Sequence, residues 1–130
     1  MTAPRILCID DTPAVCRSLR LTLRTLGEVE VVTSDEPDAM LRAYSTSLEG
    51  IRAIIDDRPD VVVLDGLEGH HTEVLRVARD LDVPVVAYTA SPELFRDEAA
   101  PVPVVAKMDV GGLLRALRAV LAADAAPGEA

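Results

Sequence analysis

The stretch Pro59-Asp60-Val61-Val62-Val63-Leu64-Asp65-Gly66 decides how the rest of the chain is read. Its apolar run is almost wholly β-branched, is bounded by proline and glycine, and is too short for a helix, so Asp60–Leu64 reads as a strand. No polar residue alternates within the run, which predicts an inner strand of a parallel sheet covered on both faces. Working outward, similar short apolar runs occur at Arg5–Ile9, Val29–Thr33, Val83–Tyr88 and Val102–Ala106. Helical patterns lie between them. Thr12-Pro13 offers a cap and a first-turn proline, and Val15, Leu19, Leu23 and Leu26 mark one helical face that Gly27 ends.

Ser34–Arg58 is long for one crossover. Ser34-Asp35-Glu36-Pro37 reads as a cap leading into Ala39–Tyr44, Ser45-Thr46-Ser47 as a break, and Ile51, Ile54 and Ile55 as the apolar face of a following piece. Two helical pieces, or one helix with a disturbed middle, are therefore expected. A last helix starts near Asp109 and presents Leu113, Leu114, Leu117, Val120 and Leu121. The order is that of an α/β fold, a doubly wound five-stranded parallel sheet with helices on both faces. Residues 1–123 form one domain, and residues 124–130 a short flexible tail. The tail follows the last helix closely, which predicts a stand-alone domain that acts through a partner protein.

Such a sheet binds ligands at the carboxyl ends of its strands. Asp10-Asp11 ends the first apolar run, Asp65 the third and Lys107 the last. Carboxylates brought together there make an oxygen-rich pocket suited to Mg²⁺, and a lysine opposite them suits a phosphoryl group. Clustered carboxylates raise one another's pKa values, so the grouping itself implies a cation.

Composition narrows the partners. The 130-residue chain has a formal net charge of -9 and a pI near 4.6, with 13 Lys and Arg in no dense run. Nucleic-acid binding needs a basic patch and is not expected. No apolar run approaches the ~20 residues of a spanning helix, and the first residues lack the apolar stretch of a signal peptide, so a cytoplasmic location is expected. Cys8 and Cys16 have no metal-ligand spacing and read as buried free thiols. His70, His71, Tyr44 and Tyr88 read as surface or packing residues, with the histidines near enough to Asp65 to modulate its pocket.

ILCIDD with Asp10 and Asp11, PDVVVLD ending in Asp65, VPVVAYTA with Thr89 and Ala90, and AKM with Lys107 occur in that order. Together they resemble the receiver domain of bacterial two-component response regulators, over about residues 5–121. The resemblance implies a signal-transduction domain that takes a phosphoryl group onto Asp65 from a histidine kinase or histidine phosphotransfer protein. It assigns Mg²⁺ to Asp10, Asp11, Asp65 and the backbone carbonyl of Leu67. Lys107 would pair with a phosphoryl oxygen and, at rest, with Asp65. Thr89 would donate its hydroxyl to another oxygen, and the small Ala90 leaves room. The domain is not a classical enzyme on this view, although it would phosphorylate itself from a phosphodonor with Mg²⁺ and slowly release the phosphate, with Leu67 shielding the acyl phosphate from water.

The chain also departs from that family. After Asp65 the usual Met-Pro and later Asp-Gly are replaced by Gly66-Leu67-Glu68-Gly69-His70-His71, a shorter loop whose glycines predict pliancy. Met108 stands where proline usually follows the lysine, and a cis bond before a non-proline residue costs about 2.5–4 kcal/mol, so Lys107-Met108 is expected to be trans. Val104 occupies the place of the switch aromatic, and Pro92–Ala99 leaves room for about two turns of a fourth helix. These changes predict that the acceptor chemistry survives while the usual output relay does not. The rival reading is a phosphorylation-independent pseudo-receiver, an interaction module. A flavodoxin-like hydrolase is disfavoured because Leu67 stands where its acid-base aspartate is needed.

Overall fold

The computed structural model describes residues 4–26, 28–32, 39–96 and 102–125. Strands β1 (Arg5–Ile9), β2 (Glu28–Val32), β3 (Val61–Leu64), β4 (Val85–Thr89) and β5 (Val104–Ala106) form one parallel sheet in the order β2-β1-β3-β4-β5. Helices α1 (Pro13–Thr22), α2 (Ala39–Asp57), α3 (His71–Asp80) and α4 (Val110–Ala125) connect or follow them.

The deciding run behaves as its composition demands. β3 is the central strand, and all four of its residues are buried. Because strand side chains alternate, Val62 and Leu64 join Leu7, Ile9, Ala87 and Phe95 in one core with Ile54 of α2 and Val74 of α3. Val61 and Val63 join Ile6, Cys8, Val86 and Tyr88 in a second core with Leu19 of α1 and Leu113 and Leu117 of α4. Each inner strand therefore feeds two cores, and its ends cannot slide without emptying both.

Several expectations shift. α2 is a single helix running through Ser45-Thr46-Ser47, with Thr46 and Ser47 buried. Gly50 lies inside it because the helix comes close to β1: an added Cβ would stand 2.6 Å from Ile9 Cδ1. Ile54 is buried while Ile55, expected on the same face, is 51% exposed. The expected cap at residues 34–37 and the stop at Gly27 lie outside the described residues. Between β4 and β5, the described residues hold one 3₁₀ turn, Pro92–Phe95, at the start of the expected two-turn helix, and residues 97–99 of that expectation lie outside the described residues. α4 begins after Asp109, whose Oδ1 accepts the Gly112 N–H at 2.9 Å, and continues to Ala125, two residues into the expected tail. Among the described residues no helix is long and apolar enough to cross a membrane.

Candidate functional site

β1 and β3 are neighbours, but their outgoing connections diverge: the chain leaves β1 for α1 on one face and β3 for α3 on the other. The crevice opened by that divergence receives Asp10, Asp11 and Asp65. One carboxylate oxygen from each lies within 4.8 Å of the others. Asp65 N–H donates to the Ile9 carbonyl at 3.0 Å, so the β1–β3 ladder sets the separation of the two acidic strand ends.

Lys107 reaches the same point from the far side of the sheet. Its Nζ lies 2.7 Å from Asp10 Oδ2 and 3.1 Å from Asp65 Oδ1. Asp10 is buried, and its Oδ1 also accepts the Thr12 N–H at 2.9 Å. The second Asp65 oxygen, Oδ2, accepts the Leu67 N–H at 3.0 Å. One ammonium thus faces three carboxylates, leaving a local excess of negative charge.

That imbalance is visible in the protonation energetics. Burial and the Asp65 charge push the Asp10 carboxyl up to about 6, against the pull of Lys107. Asp11 is raised by burial, then by Asp65 and Glu68. Burial works against the Lys107 charge, but its bonds and charge attraction to Asp10 and Asp65 win, and its pKa lies above the ordinary value. A cation added to this crevice would relieve the repulsion, and three carboxylate oxygens at this spacing are a hard-ion donor set.

The opposite wall is laid out for an anion. Thr89 ends β4, and its Oγ1 accepts the Ser91 N–H at 2.9 Å, which leaves its own hydroxyl proton to donate elsewhere. Gly66, Thr89, Ala90, Ser91 and Lys107 line a cavity of about 240 Å³ that also contains Asp65. Gly66 has φ -68, so its glycine identity answers to space: a Cβ there would stand 2.6 Å from Leu94 Cδ1 and 3.5 Å from Thr89 Oγ1.

No family model matches the chain. Over 94 residues it is 34% identical to the transcriptional regulatory protein PrrA of Mycobacterium bovis and to that of Mycobacterium tuberculosis, an alignment covering 69% of this chain and 36% of the relative. The chain therefore spans about a third of the length of the curated relatives it matches. A response regulator receiver protein from Sinorhizobium medicae superposes with a TM-score of 0.71 at 23% identity, covering 94% of this chain and 97% of that one. This chain has the receiver-domain fold. A chain from the crystal structure of histidine kinase ThkA in complex with response regulator protein TrrA matches the receiver with a TM-score of 0.68 at 23% identity, over 93% of this chain and 99% of that one.

The fold brings Asp10, Asp11, Asp65, Thr89 and Lys107 to one crevice. Leu67 joins the core to the crevice. It is fully buried in the core cluster that holds Ile9, Leu64 and Val74, and it also lines the cavity that contains Asp65. Its carbonyl accepts the His70 N–H at 2.9 Å, and one lone pair remains. Residues 67–69 all have positive φ (50, 51 and 95°), so the loop after Asp65 is a left-handed turn and not simply a shortened one.

On the lysine side, the described backbone contains no cis peptide bond, so Lys107-Met108 is trans as expected. Lys107 N–H donates to the Thr89 carbonyl at 3.0 Å, and Met108 N–H to the Tyr88 hydroxyl at 3.0 Å. Tyr88 is thus a packing residue with a second task that nothing in its sequence position signals. Met108 adopts φ 78 and is 88% exposed. Val104, at the place of the switch aromatic, is 41% exposed on an edge strand.

His71 is the clearest correction. Expected on the surface, it is 4% exposed, with Nδ1 3.1 Å from the Gly66 carbonyl and its ring centroid 4.5 Å from that of Phe95. Cys8 and Cys16 are buried free thiols as expected, and burial pushes both up, Cys16 to about 12.

Proposed function

We propose that this receiver domain accepts a phosphoryl group on Asp65 from a phosphohistidine of a histidine kinase or phosphotransfer protein in the cytoplasm. The observation that carries the reading is the double contact of Lys107 with Asp10 and Asp65 inside a cluster of three carboxylates. An ion-pair cluster built only for stability does not need an excess of buried negative charge. A site awaiting a divalent cation and a phosphoryl group does.

In this reading Asp65 supplies the nucleophile. One of its oxygens bonds to phosphorus as the phosphorus–nitrogen bond breaks, and that electron pair returns to the donor imidazole. Lys107 is drawn from the carboxylate to the transferred group and neutralises an equatorial oxygen. Thr89 donates its hydroxyl to a second oxygen, and Ala90 leaves the space the group enters. Asp10, Asp11, Asp65 and the free lone pair of the Leu67 carbonyl would hold Mg²⁺, which supplies charge neutralisation to the phosphoryl oxygens. The histidine kinase in the ThkA–TrrA complex is a partner of the same chemical kind.

The output route differs from the acceptor chemistry. Val104 has no ring to swing inward, and between β4 and β5 the described residues hold one 3₁₀ turn, Pro92–Phe95. The signal therefore leaves through a partner that reads the acceptor loop and not an aromatic switch.

Incubation with a small-molecule phosphodonor and Mg²⁺, followed by intact mass, tests the reading. Wild type should gain one phosphoryl group and Asp65→Asn none. An unmodified wild type would leave the domain as an interaction module.

A further inference from the structure

The peptide unit joining Gly66 to Leu67 is held from both sides. Its carbonyl lies 3.1 Å from His71 Nδ1 and accepts the Gly69 N–H at 2.9 Å, and its N–H donates to Asp65 Oδ2 at 3.0 Å. A trans peptide points its carbonyl and N–H in opposite directions, so fixing one fixes the other. A carbonyl can only accept, so His71 carries its proton on Nδ1 and donates. The imidazole itself is fixed by burial and by the Phe95 ring.

This peptide plane has a ready alternative. Leu67 sits at φ 50, in the left-handed region that a leucine occupies only when something holds it there. Reversing the Gly66–Leu67 plane would carry Leu67 to a negative φ, and would turn its N–H away from Asp65. Three hydrogen bonds oppose that reversal: the N–H donates to Asp65, and the carbonyl accepts from the Gly69 N–H at 2.9 Å as well as from His71, which is the one side chain that holds it.

We propose that His71 is a positioning residue for the acceptor: through the Gly66–Leu67 peptide it holds the N–H that fixes Oδ2 of Asp65. With Lys107 on Oδ1, the carboxylate is then oriented at both oxygens. A donor bond to the carbonyl also polarises the peptide and strengthens its N–H toward the carboxylate. The inference rests on Asp65 being the phosphoacceptor and adds what aims it.

His71→Phe keeps a ring against Phe95 and removes the donor. His71→Asn keeps an N–H close to the Nδ1 position. Phosphorylation rate with a small phosphodonor and Mg²⁺, and the Leu67 amide proton resonance of the unphosphorylated domain, are read for each. His71→Phe should lower the rate about tenfold and shift the Leu67 amide upfield, as an N–H released from a carboxylate does, and His71→Asn should restore most of both. A His71→Phe chain with wild-type rate and an unmoved Leu67 amide overturns the proposal. So does an Asn variant that loses as much as Phe, since packing alone would then explain both. If His71→Phe does not fold, a folded His71→Asn with a wild-type Leu67 amide supports the proposal and a displaced one overturns it. The amide readout needs no phosphorylation, so failure of the acceptor reading and failure of the positioning role are told apart.

Discussion

The two sides of the crevice are built differently. On the acidic side, Asp10 and Asp65 end strands whose residues fill both cores, and the ladder from Asp65 N–H to the Ile9 carbonyl ties them together. On the cationic side, Lys107 ends a three-residue edge strand of which only Val105 is buried. It is held by its own N–H on Thr89 and by the neighbouring Met108 N–H on Tyr88. The acceptor carboxylates are therefore as rigid as the core, whereas the lysine hangs from backbone bonds at the sheet edge. This division suits a site in which the lysine must move from a carboxylate to an incoming phosphoryl group.

Removing the cation should break that arrangement most severely. Lys107→Met leaves Asp10 and Asp65 buried together without their shared partner, and should lower stability at neutral pH by about 3 kcal/mol in metal-free buffer. Denaturant titration checks this, and added Mg²⁺ should recover part of the loss.

The acidic side has its own pH signature. Folded Asp10 keeps its proton up to about 6, from an ordinary value of 3.8. The folded state holds that proton more tightly than the unfolded chain across the interval, so the stabilisation is full below about pH 4 and is lost as pH rises through about 6. Asp10→Asn should flatten this fall. Melting temperatures of both chains without metal, between about pH 4 and pH 7, would show it; parallel curves would contradict the repulsion argued here.

The lysine side should respond more gently. Tyr88→Phe removes the acceptor of the Met108 N–H and should cost about 1 kcal/mol, while slowing phosphoryl uptake by loosening Lys107. Smallest of all, Met108→Gly should stabilise by about 0.5 kcal/mol or leave stability unchanged, because glycine accepts the positive φ at that exposed position.

This contrast also marks what could be read from residue order. β3 announces itself because a β-branched run between Pro59 and Gly66 has one sensible structure, and the acidic strand ends follow from the parallel topology it implies. Ser45-Thr46-Ser47 reads as a break because hydroxyl residues compete for backbone bonds, but Thr46 and Ser47 are buried within a continuous helix. The left-handed turn at Leu67 and Glu68 was hidden, since neither residue favours it. His71 and Tyr88 were hidden for a different reason. Their tasks depend on a carbonyl five residues away and an N–H twenty residues away, contacts that no local pattern encodes.

The most direct test of the account locates the phosphate. After phosphodonor treatment with Mg²⁺, borohydride reduction converts an aspartyl phosphate to homoserine, and peptide mass mapping finds its position. Homoserine at position 65 alone is the expected result. Homoserine at 10 or 11, or none in a chain that remains folded and binds Mg²⁺, would contradict Asp65 as the acceptor.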